Sequence, residues 1–299
     1  MLPIFHTHGL FVAINTTLLS GLSVYFFDKF SLTDLITVLP KATLLMGVPT
    51  YYKRMNGSSL VTKNLTNNMR LFISGSAPLS SIDHQMFYQK TGHTILERYG
   101  MTETNMNTSN PYLGKRKPGS VGLPLPQVHI RIIDDNSKKQ MGINEIGMIQ
   151  IKGPNVFNSY WNNDQANQEA FSDDGFFITG DLGYIDEDGY ITISGREKDL
   201  IISGGFNIYP KEIEDLINDY EEVIESAVIG KNDTDLGEVP VAIIVVGNKL
   251  REKIITELNK RFIKNLAKYK IPKEIKIINE LPRNAMGKIQ KNKIFDLIS

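Results

Sequence analysis

Residues 1–119 alternate apolar, strand-like runs with helical ones, and no other feature narrows the choice of fold as far. Ser23 to Phe27 reads as a strand, Leu32 to Leu39 as a short helix, and Ala42 to Pro49 as a strand ending in a turn. Arg70 to Pro78 is a further strand running into a glycine–serine loop, followed by a helix over 80–91 and a strand over 93–96. Strands that alternate with helices pair in parallel, which predicts an α/β sheet. Ligands of such sheets sit beyond the carboxyl ends of the strands. Ser74-Gly75-Ser76 and Tyr99 to Glu103 both fall at such ends.

The texture changes after residue 119. Val128 to Ile133, Gly147 to Gly153 and Gly189 to Ile193 are short strands between glycines, the pattern of a small antiparallel barrel or sheet over 120–196. Residues 197–299 read as a third, α+β region: a glycine loop at 203–207, and a helix entered through Tyr209-Pro210. Strands near 223–230 and 240–246, a helix over 251–266 and a last strand near 275–278 follow. The 299 residues suffice for two ordinary domains.

The first 27 residues carry no Asp, Glu, Lys or Arg. A signal peptide needs a positive leading segment, and His6, His8, Asn15, Thr16, Thr17 and Ser20 interrupt any membrane span. The expected form is a strand and then a buried helix. Because the chain enters an apolar strand at once, it is expected to be the later part of a longer one. Lys+Arg and Asp+Glu both total 33, which gives no global pull toward nucleic acid or an anionic membrane. The absence of Cys excludes disulfides, Cys-ligated zinc and a thiol nucleophile. From Lys249 onward 14 Lys/Arg face 5 Asp/Glu, either a solvated face or a complement to a polyphosphate.

Glu97 to Thr104 packs an aromatic, a glycine, a hydroxyl and a carboxylate into a few residues. Tyr99 offers a face for stacking, Gly100 allows close backbone approach, Thr102 can bond a phosphate oxygen, and Glu103 is a hard oxygen ligand suited to Mg²⁺ beside nucleotide phosphates. An ordinary strand-to-loop corner has the same composition. Asp181, between Gly180 and Gly183, could hold the two hydroxyls of a ribose or form an Asp-Gly turn.

Seven segments, in order, resemble the adenylate-forming superfamily of acyl-CoA synthetases, luciferases and peptide-synthetase adenylation domains. They are His-Thr-His-Gly at 6–9, Gly-Ser-Ala-Pro at 75–78, Tyr-Gly-Met-Thr-Glu at 99–103, Ile-Lys-Gly-Pro at 151–154, Thr-Gly-Asp at 179–181, the run from Gly195 to Glu214, and Pro282 to Lys288. The resemblance implies ATP/AMP, Mg²⁺ and coenzyme A as cofactors or substrates. It places nucleotide on Gly75, Ser76, Ala77, Tyr99, Gly100, Met101 and Thr102, ribose on Asp181 and Arg196, and metal on Glu103. Lys288 becomes the catalytic lysine, acting with Thr102 and Glu103, where a solvated lysine of a basic tail is the plain alternative. Lys198 falls at the hinge of a mobile C-terminal domain, and Gly204, Gly205 and Phe206 line the pantetheine channel.

Wording such as Leu2 to Ala13, Ser74 to Leu79 and Leu96 to Tyr112 further resembles malonyl-CoA synthetases. That implies malonate or methylmalonate as substrate, with His6, His8, Ser74 and Arg98 around the acyl group. A guanidinium at position 98 suits a second carboxylate, though an ion pair with Glu97 or Glu103 fits the same residue types. The family's phosphate loop, expected ahead of the His-Thr-His-Gly segment, has no counterpart here. A truncated or natural fragment is expected, poorly stable and inactive as written, with a non-catalytic AMP- or CoA-binding module or a synthetase for another acid as the alternatives. Expected besides are a cytoplasmic location, small-molecule partners and no nucleic acid.

Overall fold

The structure is a computed structural model and describes residues 1–134, 137–247, 251–284 and 288–298, without the side chains at 251, 252, 297 and 298. The chain divides into two compact units, Met1–Thr179 with Gly183–Ile193, and Gly180–Leu182 with Ser194–Ser299. The strands Phe177–Ile185 and Ile191–Arg196 contribute residues to both.

In the first unit a π-helix over His8–Asn15 continues into α1 (Thr16–Leu19), followed by α2 (Leu32–Val38), β1 (Leu44–Gly47), α3 (Pro49–Asn56), β2 (Leu71–Ser74), α4 (Ser81–Thr91) and β3 (Ile95–Met101). The strands β4 (Asn105–Ser109) and β5 (Leu123–Pro124) complete one sheet, ordered β1-β2-β3-β4-β5. β1, β2 and β3 are parallel, and β4 and β5 are antiparallel additions. Helix entry follows local chemistry: the Ser31 and Ser80 hydroxyls accept the Asp34 and Asp83 N–H groups, and Pro49 opens α3. Gly92, at φ 77°, ends α4 in the left-handed conformation that glycine adopts without strain. All four residues of β2 are buried, as a parallel strand covered on both faces requires. Its Phe72 packs with Leu35, Leu39, Tyr52, Met55 and Phe87.

The opening residues differ from expectation. Met1 to His6 and Ser23 to Phe27 form no strand, and β1 is the edge of its sheet. A strand needs a ladder partner, and among the described residues neither segment has one. The helix over 8–19 is not buried either: Phe11, Leu18 and Leu19 are exposed, as are Phe5, Tyr25 and Phe26.

β6 (His129–Ile133), β7 (Gly147–Lys152), β8 (Phe177–Ile185) and β9 (Ile191–Arg196) form a second sheet in that order, with α5 (Asp164–Ala170) between β7 and β8. In the second unit β10 (Ile201–Ser203), β11 (Phe206–Ile208), β12 (Val223–Asp233), β13 (Gly237–Val246) and β14 (Glu274–Ile278) make one sheet. Its helices are α6 (Pro210–Asn218), α7 (Arg251–Asn265) and α8 (Lys291–Ile298). Ile213, Ile217, Val228, Ile244, Leu258 and Phe262 form its main core. This is the mixed α/β architecture expected: a partly parallel sheet, a small second sheet and a C-terminal α+β unit. Among the described residues no helix is long and apolar enough to cross a membrane.

Candidate active site

Parallel β2 and β3 end side by side, with Ser74 in register with Glu97. Beyond β2 the chain turns sharply through Gly75 and Ser76, the latter at φ 69°. That turn meets the π-helix: His8 Nδ1 lies 3.0 Å from Ser76 Oγ, and the His6 ring accepts the His8 N–H at 3.3 Å. A pocket opens here, lined by His6, His8, Val12, Gly75, Ser76, Arg98, Gly100, Met101 and Met106. Arg98 reaches it from β3. Its Nε is buried, and among the described residues it makes no hydrogen bond and Arg98 forms no ion pair. Burial alone holds its guanidinium below the usual arginine range. Of the two acids that could have neutralised it, Glu97 takes His84 and the Gly119 N–H, and Glu103 takes Tyr160. Ser74 is buried, its Oγ is without a partner among the described residues, and it lies outside the residues lining the pocket. Ala77 is exposed and likewise lies outside the residues lining the pocket.

His8 is pushed down to about 4, first by burial, then by the Arg98 charge and then by His6. The unfolded chain therefore binds the extra proton between about pH 6.5 and 4. Stability from this group is complete above the ordinary histidine range and is lost as pH falls toward the folded value, by roughly 3 kcal/mol in all. Thermal melts across that window should show the loss, and His8→Asn should flatten it. An identical slope in both proteins removes His8 as its source.

Tyr99 is nine-tenths buried and packs with Val128, Ile132, Ile149, Ile151 and Ile191. The ladder to β4 shifts between Tyr99 and Gly100, a bulge that brings backbone against backbone. A Cβ on Gly100 would lie 1.9 Å from the Asn105 carbonyl oxygen. Thr102, Glu103 and Thr104 form the turn that follows, with Thr102 exposed and Glu103 half-buried. Tyr160 donates its hydroxyl to Glu103 Oε1 at 3.1 Å, which occupies one carboxylate oxygen. Among the described residues no three His, Asp or Glu side chains cluster to cage an ion. The donor set therefore suits a hard cation that takes one carboxylate and draws its other ligands from phosphate and water, the usual manner of Mg²⁺.

A second group of candidate residues lies in the second unit. Asp181 is buried, and the Arg196 Nε donates to its Oδ1 at 2.9 Å. These two residues, read from the sequence as separate hydroxyl ligands, thus form an ion pair with each other. Half-buried Lys288 sits in their field: burial and then the Arg196 charge lower its ammonium pKa, and Asp181 opposes them. Its backbone exchanges two hydrogen bonds with Asn284, whose side chain accepts the Lys288 N–H and whose own N–H reaches the Lys288 carbonyl. Ala285, Met286 and Gly287 of the same motif lie outside the described residues. Gly204 and Gly205 turn between β10 and β11 at φ 56° and 81°, and exposed Phe206 stacks on Tyr269 at 4.7 Å. Lys198 is exposed in a short 3-10 turn, four residues after Ser194 opens the longer part of this unit.

Sequence reasoning missed Asn155 and Tyr160. Asn155 directly follows the Ile151 to Pro154 segment, and Tyr160 stands in an aromatic-rich stretch between two polar ones. Neither pattern announces partners that stand 48 to 57 residues away.

The model for the AMP-binding enzymes matches residues 1–161, and that for the AMP-binding enzyme C-terminal domain matches residues 212–288. The malonate–CoA ligase of Arabidopsis thaliana is 36% identical over 98% of this chain and 52% of its own length. A long-chain-fatty-acid–CoA ligase of Bacillus subtilis is 34% identical over 99% and 53%. Among solved structures, ATP-bound MatB from Rhodopseudomonas palustris aligns with a TM-score of 0.94 at 51% identity, over 99% of this chain and 59% of that one. The o-succinylbenzoate coenzyme A synthetase MenE from Bacillus subtilis, in complex with ATP and magnesium, aligns at 0.86 and 33%, over 99% and 60%. The chain thus spans a little over half the length of these relatives.

Proposed function

The chain belongs to the AMP-binding enzymes, and from that premise we propose that the protein it comes from ligates malonate, or a close dicarboxylate, to coenzyme A at the expense of ATP. One carboxylate of the acid attacks the α-phosphate, pyrophosphate leaves, and the thiol of CoA then displaces AMP from the acyl-adenylate. No enzyme nucleophile is needed, because the mixed anhydride is itself the activated species.

The observation that carries the choice of acid is Arg98, a guanidinium with a buried, unpartnered Nε facing a small pocket. A buried cation without a counter-ion is costly, and a substrate carboxylate would remove that cost while fixing the acid's orientation. Neutral His8, held by Ser76, gives the same pocket a hydrogen-bonding group that adds no second charge. In this reading Tyr99 stacks on adenine, Gly75, Ser76, Ala77, Gly100 and Met101 contact the nucleotide, and Thr102 bonds the α-phosphate. Glu103 would hold Mg²⁺, which when bound neutralises phosphate charge. Asp181 and Arg196 take the ribose, Lys288 the charge that builds up as carboxylate meets phosphate, and Gly204, Gly205 and Phe206 the pantetheine arm. Lys198 would serve as the hinge between the two half-reactions.

The test is acid-dependent exchange of labelled pyrophosphate into ATP by the native protein, with acetate, malonate, methylmalonate, benzoate and palmitate compared. Exchange strongest with malonate or methylmalonate is expected. A preference for benzoate or palmitate would reassign the acid within the family, and nucleotide binding without exchange for any acid would leave only a binding role.

A further inference from the structure

The turn that carries Thr102 and Glu103 is held from outside by one segment, residues 155–160. Asn155 Nδ2 donates to the Thr104 carbonyl at 2.8 Å, to the Met106 carbonyl at 3.1 Å and to Asn107 Oδ1 at 3.0 Å. The Phe157 N–H donates to the Glu103 carbonyl at 2.8 Å. Tyr160 then reaches the carboxylate itself. Backbone behind the acid and one oxygen of the acid are thus gripped by the same few residues.

Tyr160 is itself fixed on two sides. Its N–H donates to Asn167 Oδ1 at 2.6 Å, and Asn167 Nδ2 returns a bond to the Tyr160 carbonyl at 3.1 Å. Its ring meets Phe157 edge-on at 4.7 Å, and Phe157 packs in turn on Phe171 and on Phe177 of β8. Burial, and then the Glu103 charge, raise the phenol pKa, so it stays a donor at neutral pH.

We propose that Tyr160 is a positioning residue, seated beside the turn that Asn155 ties down, and that it holds Glu103 in a rotamer that presents its second oxygen to a metal–nucleotide complex. The proposal rests on the reading of Glu103 as the metal-holding carboxylate. A free glutamate must give up side-chain freedom each time it coordinates, whereas a phenol bound to one oxygen meets that cost in advance.

The experiment is calorimetric binding of ATP to the native protein over a Mg²⁺ titration, with AMP binding in EDTA and the melting temperature measured beside it. Tyr160→Phe is expected to raise the Mg²⁺ concentration for half-maximal ATP binding about tenfold, as loss of an outer-shell partner commonly does. AMP affinity and melting temperature should stay as in the parent. Asn155→Ala should weaken AMP and ATP together, because it frees the whole turn. Glu103→Gln separates the two claims. If it raises the Mg²⁺ requirement and Tyr160→Phe does not, positioning by Tyr160 is overturned and the role of Glu103 stands. If neither variant changes it, the reading of Glu103 falls as well. A Tyr160→Phe protein that melts earlier and loses AMP and ATP affinity in proportion would show a merely structural bond.

Discussion

Arg98→Ala is expected to lower malonate kcat/KM in the native protein by about 10²–10³-fold, the usual cost of truncating one partner of a buried charge pair. ATP affinity should hardly change, because no nucleotide contact is assigned to this side chain. Acetate should be used as poorly as before or slightly better, since a monocarboxylate leaves the parent guanidinium unpaired and the variant has none to leave. The same substitution should raise the melting temperature of the ligand-free protein. Among the described residues Arg98 forms no ion pair and its Nε has no partner, so removing it relieves a desolvated charge. Lost turnover together with gained stability is the signature of a residue kept for its ligand. An unchanged malonate kcat/KM would take Arg98 out of the acyl pocket.

Gly100→Ala should be the most damaging single methyl group in the first unit's site. Its Cβ would stand 1.9 Å from the Asn105 carbonyl oxygen and 3.1 Å from the Met106 Cα, both backbone atoms of the paired strand. No rotamer change can relieve a backbone clash, so β3 and β4 must separate at the bulge. The expected loss is about 3 kcal/mol or more, the upper range for single substitutions. AMP affinity should fall further than stability alone accounts for, because Thr102 and Glu103 occupy the turn that would move. Gly205→Ala is the control: φ is 81° there, but among the described residues nothing beyond its chain neighbours lies within 4 Å of the added Cβ, so the cost is confined to roughly 1–2 kcal/mol of backbone strain. Denaturant titration of both variants, with AMP binding, tests this, and a Gly100→Ala protein as stable as Gly205→Ala would contradict it.

Where periodicity and punctuation agreed, the chain was legible. β2 and α4 lie within the apolar run at 70–78 and the helical stretch at 80–91, the helix bounded by Ser80 and Gly92, whereas the strand expected over 93–96 runs on to Met101 because its ladder to β4 continues through Tyr99 and Gly100. The opening residues misled for a physical reason. An apolar run such as Ser23 to Phe27 records only that a segment prefers burial, and a strand also needs a neighbour to bond. The candidate site was legible as a set of residues, not as a set of partners. Pairing Arg196 with Asp181, and Tyr160 with Glu103, depends on chain crossings that no local pattern encodes.

The division of the chain has a consequence for how such proteins recombine. Three residues, Gly180–Leu182, group with Ser194–Ser299, and the stretches on either side of them group with the first unit. An exchange of gene segments that breaks just before Ser194 would take Arg196 from one parent and Asp181 from the other, and would test their 2.9 Å contact at every crossover. Viable hybrids between divergent relatives should therefore break upstream of Gly180, or keep an acid at position 181 wherever an arginine stands at 196.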